Sequence, residues 1–257
     1  MQVTNGVLMD NNEYTDFGYE RVRPGEKRRR VTDLFDNVAS RYDLMNDLMS
    51  MGIHRLWKNF AVQISDIKKD DQVLDIAGGT GDMAKRLSKK LTDDGSITIC
   101  DISHEMISTG RNNLIDEGII NRINYVQGDV ENLPFADNSF DFICIAFGLR
   151  NVTDKVKALS SMYNKLKYGK ELMILEFSRV VLKPLEKVYD AYSKYCIPAM
   201  GKYIAEDEAS YRYLIESIHM HPDQETLKNM LLEAGFSRIS YLNLSGGIVA
   251  IHKAYKI

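Results

Sequence analysis

Cysteine is scarce in this chain. Of 257 residues only Cys100, Cys144 and Cys196 carry a thiol. An odd number without C-x-x-C spacing speaks against a disulfide framework and for buried thiols in a reducing compartment. Basic charge is not in excess either: the formal net charge is -3, so no global positive field exists to hold nucleic acid. Long apolar runs are missing. Stretches such as residues 142–147 fall far short of the ~20 residues that span a bilayer. The first twenty residues contain no Lys or Arg but do contain Asp10, Glu13, Asp16 and Glu20, the opposite of a signal or transit peptide, so a cytoplasmic protein is expected. His219-Met220-His221 has metal-binding residue types, but no further His, Cys or Asp cluster completes a site, and no metal is expected.

What is present is the composition of a folded protein, 44% hydrophobic and 27% charged, enough to bury a full core. Residues 1–25 are polar and without a sustained period, and are expected to be a flexible leader. The basic cluster Glu26-Lys27-Arg28-Arg29-Arg30 then leads into a helical pattern through Val31, Leu34, Phe35 and Val38. It reads as a solvated helix face or as a contact for an anionic membrane surface.

From residue 72 short apolar runs alternate with amphipathic segments. Strands are predicted over 72–77, 96–100, 123–127, 140–146 and 171–177, the fourth apolar on both faces as a central parallel strand is. Helices are predicted over 82–91, after a cap at Ser103, and after a cap at Thr153. This alternation implies βαβ units and an α/β, doubly wound, Rossmann-like sheet. Residues 181–217 break the pattern with Val181, Leu182, Leu185, Val188, Tyr189, Tyr192 and Tyr195 at helical spacing, a helical insertion. A helix capped by Asp223 and stopped at Gly235 precedes two closing strands, 238–244 and 247–254. One domain over 26–257 is expected, with N-terminal helices over 26–66 and the insertion over about 181–220 covering a substrate site.

Val73-Leu74-Asp75-Ile76-Ala77-Gly78-Gly79-Thr80-Gly81-Asp82 is a strand that runs into a glycine-rich turn opening a helix. Ala77, Gly78 and Gly79 bring backbone close to a ligand in the crevice beyond the strand ends. Asp101 ends the next strand and can accept both hydroxyls of an adenosine ribose. The segment Gly79 to Ala84 also satisfies G-x-G-x-x-A, but a dinucleotide would lay its pyrophosphate against Asp82 at the helix N-terminus, two negative charges together. S-adenosylmethionine has no phosphate, and its ammonium suits Asp75 or Asp82. Farther on, in Gly128-Asp129-Val130, Asp129 can accept from the adenine amino group and Val130 can pack on the ring.

With Tyr42-Asp43-Leu44-Met45-Asn46-Asp47-Leu48-Met49-Ser50-Met51-Gly52-Ile53-His54-Arg55-Leu56-Trp57, the chain resembles the UbiE/MenG family of ubiquinone and menaquinone biosynthesis C-methyltransferases. Ala77 to Asp82, Phe147-Gly148-Leu149-Arg150-Asn151-Val152-Thr153, Leu175-Glu176-Phe177-Ser178, and Ser210 to Leu214 through His221 to Leu227 match as well. The resemblance implies a class I S-adenosylmethionine-dependent methyltransferase sheet of order 3-2-1-4-5-7-6 with strand 7 antiparallel. It also implies methyl transfer to a ring carbon of a polyprenyl quinol, a demethylmenaquinol or a benzoquinol of ubiquinone biosynthesis. Thr80, Asp101, Asp129 and Val130 carry over as cofactor contacts. Lys167-Tyr168-Gly169-Lys170 departs from the family's Lys-Pro-Gly-Gly and is expected to change a turn before strand five. Ala146 stands where a Ser is common and His219 where an Arg is usual.

A quinol carbon becomes nucleophilic when its phenol loses a proton. Arg150, just past the fourth strand, is the expected partner of the phenolate, and His54 or Asp43 the expected proton acceptor, although His54 reads equally as a buried structural residue. A greasy substrate implies transient, peripheral work at the inner face of the membrane. A homodimer or a quinone-biosynthesis complex is left open. Two other classes compete: an NAD-dependent dehydrogenase, which shares the sheet and Asp101, and a non-catalytic lipid-binding subunit.

Overall fold

The computed structural model of the chain describes residues 14–39, 42–192 and 208–257, without the side chains of Asp43, Leu48, Met49, Val188 and Asp190. Cys196 and Tyr195 lie outside the described residues.

The first element is a hairpin, β1 (Thr15–Phe17) and β2 (Glu20–Val22), turned at Gly18 with φ +60°. The expected leader is corrected here for its second half. Strands of three residues leave too little alternation to read, and what holds them is distant in sequence: Phe17 stacks on Tyr213 with ring centroids 4.3 Å apart, and the Tyr19 hydroxyl bonds His219 Nδ1 at 2.6 Å. Three helices follow, α1 (Pro24–Val38), α2 (Tyr42–Ser50) and α3 (His54–Ile64). Proline opens α1, where its missing N–H costs nothing.

The alternating part then runs β3 (Gln72–Ile76), α4 (Asp82–Ser88), β4 (Ser96–Asp101), α5 (His104–Asp116), β5 (Ile123–Gln127), β6 (Phe140–Ala146), α6 (Lys155–Lys165) and β7 (Leu166–Phe177). After it come α7 (Lys183–Ala191), α8 (Glu208–Met220), α9 (Gln224–Glu233), β8 (Ser237–Leu244) and β9 (Val249–Tyr255). Ser103 and Asp223 cap as expected, accepting from the backbone of Met106 and Thr226. The cap of α6 is not Thr153 but Asp154, one residue later, whose carboxylate accepts from Lys157 N.

The sheet has seven strands in the order β5-β4-β3-β6-β7-β9-β8. Counted from β3 as the first, this is the expected 3-2-1-4-5-7-6, with β9 antiparallel to both neighbours. Its strands alternate between two cores. Leu74, Ile76, Ile143, Ile145, Leu172 and Ile174 face α6 and α9, whereas Val73, Ile97, Ile99, Phe142, Cys144 and Met173 face α3, α4 and α5. The central strand β6 is buried on both faces, as its unbroken apolar run requires. Lys167 to Lys170 do not form a turn ahead of β7. They lie within it, as an irregularity between the pairs Phe140↔Leu166 and Phe142↔Glu171, because Lys167 and Lys170 reach Asp141 at 2.7 and 3.0 Å.

Candidate active site

β3 lies between β4 and β6, so the chain leaves β3 to one side and returns on the other, which opens a crevice beyond the strand ends. At that point two non-glycine residues, Ala77 and Phe147, adopt left-handed backbone with φ 51° and 57°. Each is tied to the next strand, Ala77 N to Cys100 O at 2.7 Å and Phe147 N to Leu175 O at 2.8 Å. Backbone strain held this firmly is concentrated at functional sites, and both residues line one cavity with Asp101, Asp129, Val130 and Asn151.

The glycine loop forms one rim. Gly81, with φ 83°, starts α4, a conformation that glycine reaches without steric cost. α5 presses on the loop so closely that a Cβ on Gly110 would lie 2.4 Å from Gly79 O. Beneath it Asp75 is 1% exposed. Its Oδ1 accepts from Cys144 Sγ at 3.4 Å, and its Oδ2 has no partner among the described residues. Burial pushes this carboxyl up to about 7. Asp82 is different: Lys58 and Arg86 hold it at 2.9 and 3.0 Å and keep its carboxyl low against the upward push of burial. Of the two acids that suit an ammonium, Asp75 is the one with an oxygen to offer.

Asp101 accepts from Gly79 N and Ser103 N, both at 3.0 Å, which aims the carboxylate across the crevice. Burial raises it to about 6 against those bonds. Asp129 accepts from Glu131 N at 2.9 Å and pairs with Arg28 Nε at 3.0 Å. Thr80 lies apart from these. It lines a separate cavity on the other side of the loop, with His54, Asp82 and Lys85.

α1 closes the crevice from above. Arg28 holds Asp129 and Glu131, Asp36 accepts from Ser103 Oγ, and Phe35 and Tyr42 complete the cover. Of the basic cluster only Lys27 is buried; Arg28 and Arg29 are exposed, as on a solvated helix face, and Arg30 is paired with Glu20 and Glu26.

Of the expected catalytic residues, Arg150 and His54 line different cavities. Arg150 is 4% exposed; its guanidinium pairs with Glu176 at 3.1 Å, donates to Phe147 O and lies over the Phe177 ring at 5.6 Å. It does not line the crevice but a neighbouring cavity, where the carboxylate of Glu176 on β7 draws it inward. His54 is buried with Nδ1 at 2.8 Å from Ser50 Oγ, and burial, then Lys58, lowers it to about 4. It lines the cavity on the other side of the glycine loop and not the crevice. The Asp43 side chain lies outside the described atoms.

The residue that does line the crevice is Asn151, next to Arg150 in the quoted motif. Its Oδ1 accepts from Tyr213 Oη at 3.2 Å, which leaves the amide N–H groups as donors. Only the contact with α8 distinguishes it, a contact 62 positions away that a local motif does not display. The crevice offers acceptors at Asp101 and Asp129 and an apolar wall at Val130, which fit an adenosine, while Asp75, with an unpartnered buried carboxylate oxygen, lies beneath the loop and outside the crevice lining.

A family model described as the ubiE/COQ5 methyltransferase family matches residues 23–256. The chain belongs to the ubiE/COQ5 methyltransferase family. It is 53% identical over 250 residues to the ubiquinone/menaquinone biosynthesis C-methyltransferase UbiE of Proteus mirabilis, covering 97% of this chain and 100% of that one. A Vibrio cholerae protein of the same name is 53% identical over 247 residues, 96% of this chain and 95% of its own. Among solved structures, an S-adenosylmethionine-dependent methyltransferase from Thermotoga maritima superposes with a TM-score of 0.62 at 18% identity, covering 88% of this chain and 100% of that one. This last likeness shows the class I fold alone. The ubiE/COQ5 family and the fold imply S-adenosylmethionine as the methyl donor, and nothing among these relatives supports a dehydrogenase or a silent subunit.

Proposed function

We propose that the crevice between β3, β4 and β6 transfers a methyl group from S-adenosylmethionine to a ring carbon of a polyprenyl quinol, a reading supported by the UbiE relatives' name, ubiquinone/menaquinone biosynthesis C-methyltransferase. The observation that carries this reading is the convergence of Asp101, Asp129, Val130 and Asn151, from the ends of three strands, on one cavity bounded by the strained Ala77 and Phe147. Asp101 would hold the ribose diol, Asp129 and Val130 the adenine, the backbone of Ala77, Gly78 and Gly79 the methionine end, and Asp75 its ammonium. Thr80 supports that loop from its other side.

When bound, the cofactor supplies an electrophilic methyl on a sulfonium. The quinol hydroxyl gives up its proton to water, and the phenolate charge spreads to the ortho carbon. That carbon forms the new C–C bond as the S–CH₃ bond breaks, and loss of the ring proton restores aromaticity. Asn151 donates to the phenolate oxygen, and Tyr213 orients its amide. The Arg150–Glu176 pair positions the loop of residues 147–153 on which Asn151 rides.

Among the described residues no helix is long and apolar enough to cross a membrane. The turn between α2 and α3 and the first turn of α3 nonetheless expose Met51, Ile53 and Leu56, at 72%, 37% and 66%, three separate apolar residues within six positions. Exposed apolar residues of this kind suit the interface of a bilayer, from which a prenyl tail would enter beside α2. Labelled methyl transfer to demethylated benzoquinol and naphthoquinol, assayed side by side in vesicles, tests the reading. Label in one or both products supports it. Label in neither, with the cofactor bound, removes it.

A further inference from the structure

A second cavity, of ≈ 460 Å³, lies under the N-terminal hairpin and shares Arg28, Glu131 and Thr153 with the cofactor crevice. Lys27 of α1 and Lys155 of α6 stand in its wall. Both ammonium groups donate to the same carbonyl, Val152 O, at 3.1 and 3.3 Å. Among the described residues neither forms an ion pair. The acids of the same wall are engaged elsewhere: Glu131 by Arg28 and by Asp154 N, Asp154 by Lys157, and Asp16 by Arg21.

A buried and a half-buried cation on one carbonyl, Lys27 and Lys155, is an electrostatically incomplete arrangement. Burial, and then repulsion from Lys155, lowers the Lys27 amine to about 7; burial lowers Lys155 too, against the pull of Glu176 and Asp16. The positive potential extends to His221, which is buried with both ring nitrogens unpartnered among the described residues; after burial, Lys155 and Arg150 are what depress its basicity. The catalytic account above uses neither lysine.

We propose that this cavity is a phosphate-binding site in which one phosphate group bridges the Lys27 and Lys155 ammonium groups. A phosphate dianion matches two ammonium charges and has enough acceptor oxygens to take a hydrogen bond from each. The site does not depend on the reading of the neighbouring crevice, but it is coupled to it. Val152 O follows the turn that carries Asn151, and Lys27 belongs to the helix that covers the cofactor, so a bound phosphate ties α1, α6 and the 147–153 loop together.

The test is an NMR titration of ¹⁵N-lysine-labelled full chain with inorganic phosphate, against sodium chloride at equal ionic strength. Lys27 and Lys155 Nζ signals, identified with Lys27→Gln and Lys155→Gln, are expected to shift together and saturate with a Kd of about 1 mM or tighter. Each Gln variant should raise that Kd about tenfold or more. Vesicles of phosphatidic acid form the second arm. Saturation by vesicles at lower phosphate concentration assigns the group to a lipid headgroup, and saturation by inorganic phosphate alone assigns it to a soluble ion. Signals that stay still, or that follow sodium chloride equally, overturn the site. A wild-type response in folded Lys155→Gln overturns it as well, and the wild-type titration stands even where a variant does not fold.

Discussion

Asp101 holds the glycine loop through Gly79 N and is the acceptor offered to a ribose, so its removal should register in binding before anything else. Asp101→Ala is expected to weaken S-adenosylmethionine by roughly 1.5–3 kcal/mol, the range for a hydrogen bond to a charged group. Calorimetry on the folded variant reads it, and unchanged affinity would take Asp101 out of the site. Arg150 behaves differently because its charge faces Glu176, which is 2% exposed. Arg150→Ala leaves that carboxylate buried and uncompensated, a loss of about 3–5 kcal/mol, so melting temperature, cofactor affinity and rate should fall together. A stable variant that loses single-turnover rate alone would restore Arg150 to contact with the reacting oxygen. The residue types at Asp101, Asp129 and Val130 were legible because each ends a strand next to a turn. The burial of Arg150 was not, since the carboxylate of Glu176 acts through a tertiary contact that spacing does not reveal.

At the scale of elements, the sheet strands were readable from alternation and the two caps Ser103 and Asp223 from side-chain chemistry. The hairpin of residues 15–22 was not, because its anchors lie on α8, nor was the burial of Lys27 on α1. α1 covers the crevice, and Arg28 is its exposed fastening, paired with Asp129 and Glu131. Arg28→Ala is expected to change folding stability by less than about 1 kcal/mol, since its partly exposed pairs are weak. It should also speed both entry and release of S-adenosylmethionine. Stopped-flow binding checks this, and unchanged rate constants with a normal melting curve would rule out α1 as the cover.

At the scale of the whole molecule, net charge and mean hydropathy are unremarkable, and the titration behaviour comes from a few buried groups. Asp75 reaches about 7 in the fold, well above the ~3.9 of an unfolded Asp. The stability it contributes is therefore fully present below pH ~4 and lost as pH rises through about 7. Asp75→Asn removes that titration, so its melting temperature relative to the parent should rise between pH 5 and pH 8. A pH-independent difference would mean that Asp75 stays ionised in the fold. The overall topology, including the antiparallel closing strand, was legible in full only through the family resemblance, because alternation alone does not order strands within a sheet.

The most direct measurement is anaerobic single-turnover transfer of tritiated methyl from S-adenosylmethionine, in the same vesicles, to the reduced demethylated quinol and to its oxidised quinone. Only the quinol has an ionisable ring hydroxyl, so label should enter the ring carbon of the quinol product and be absent from the quinone. Equal transfer to both, or release of a reduced nicotinamide instead of any labelled ring, would contradict the account.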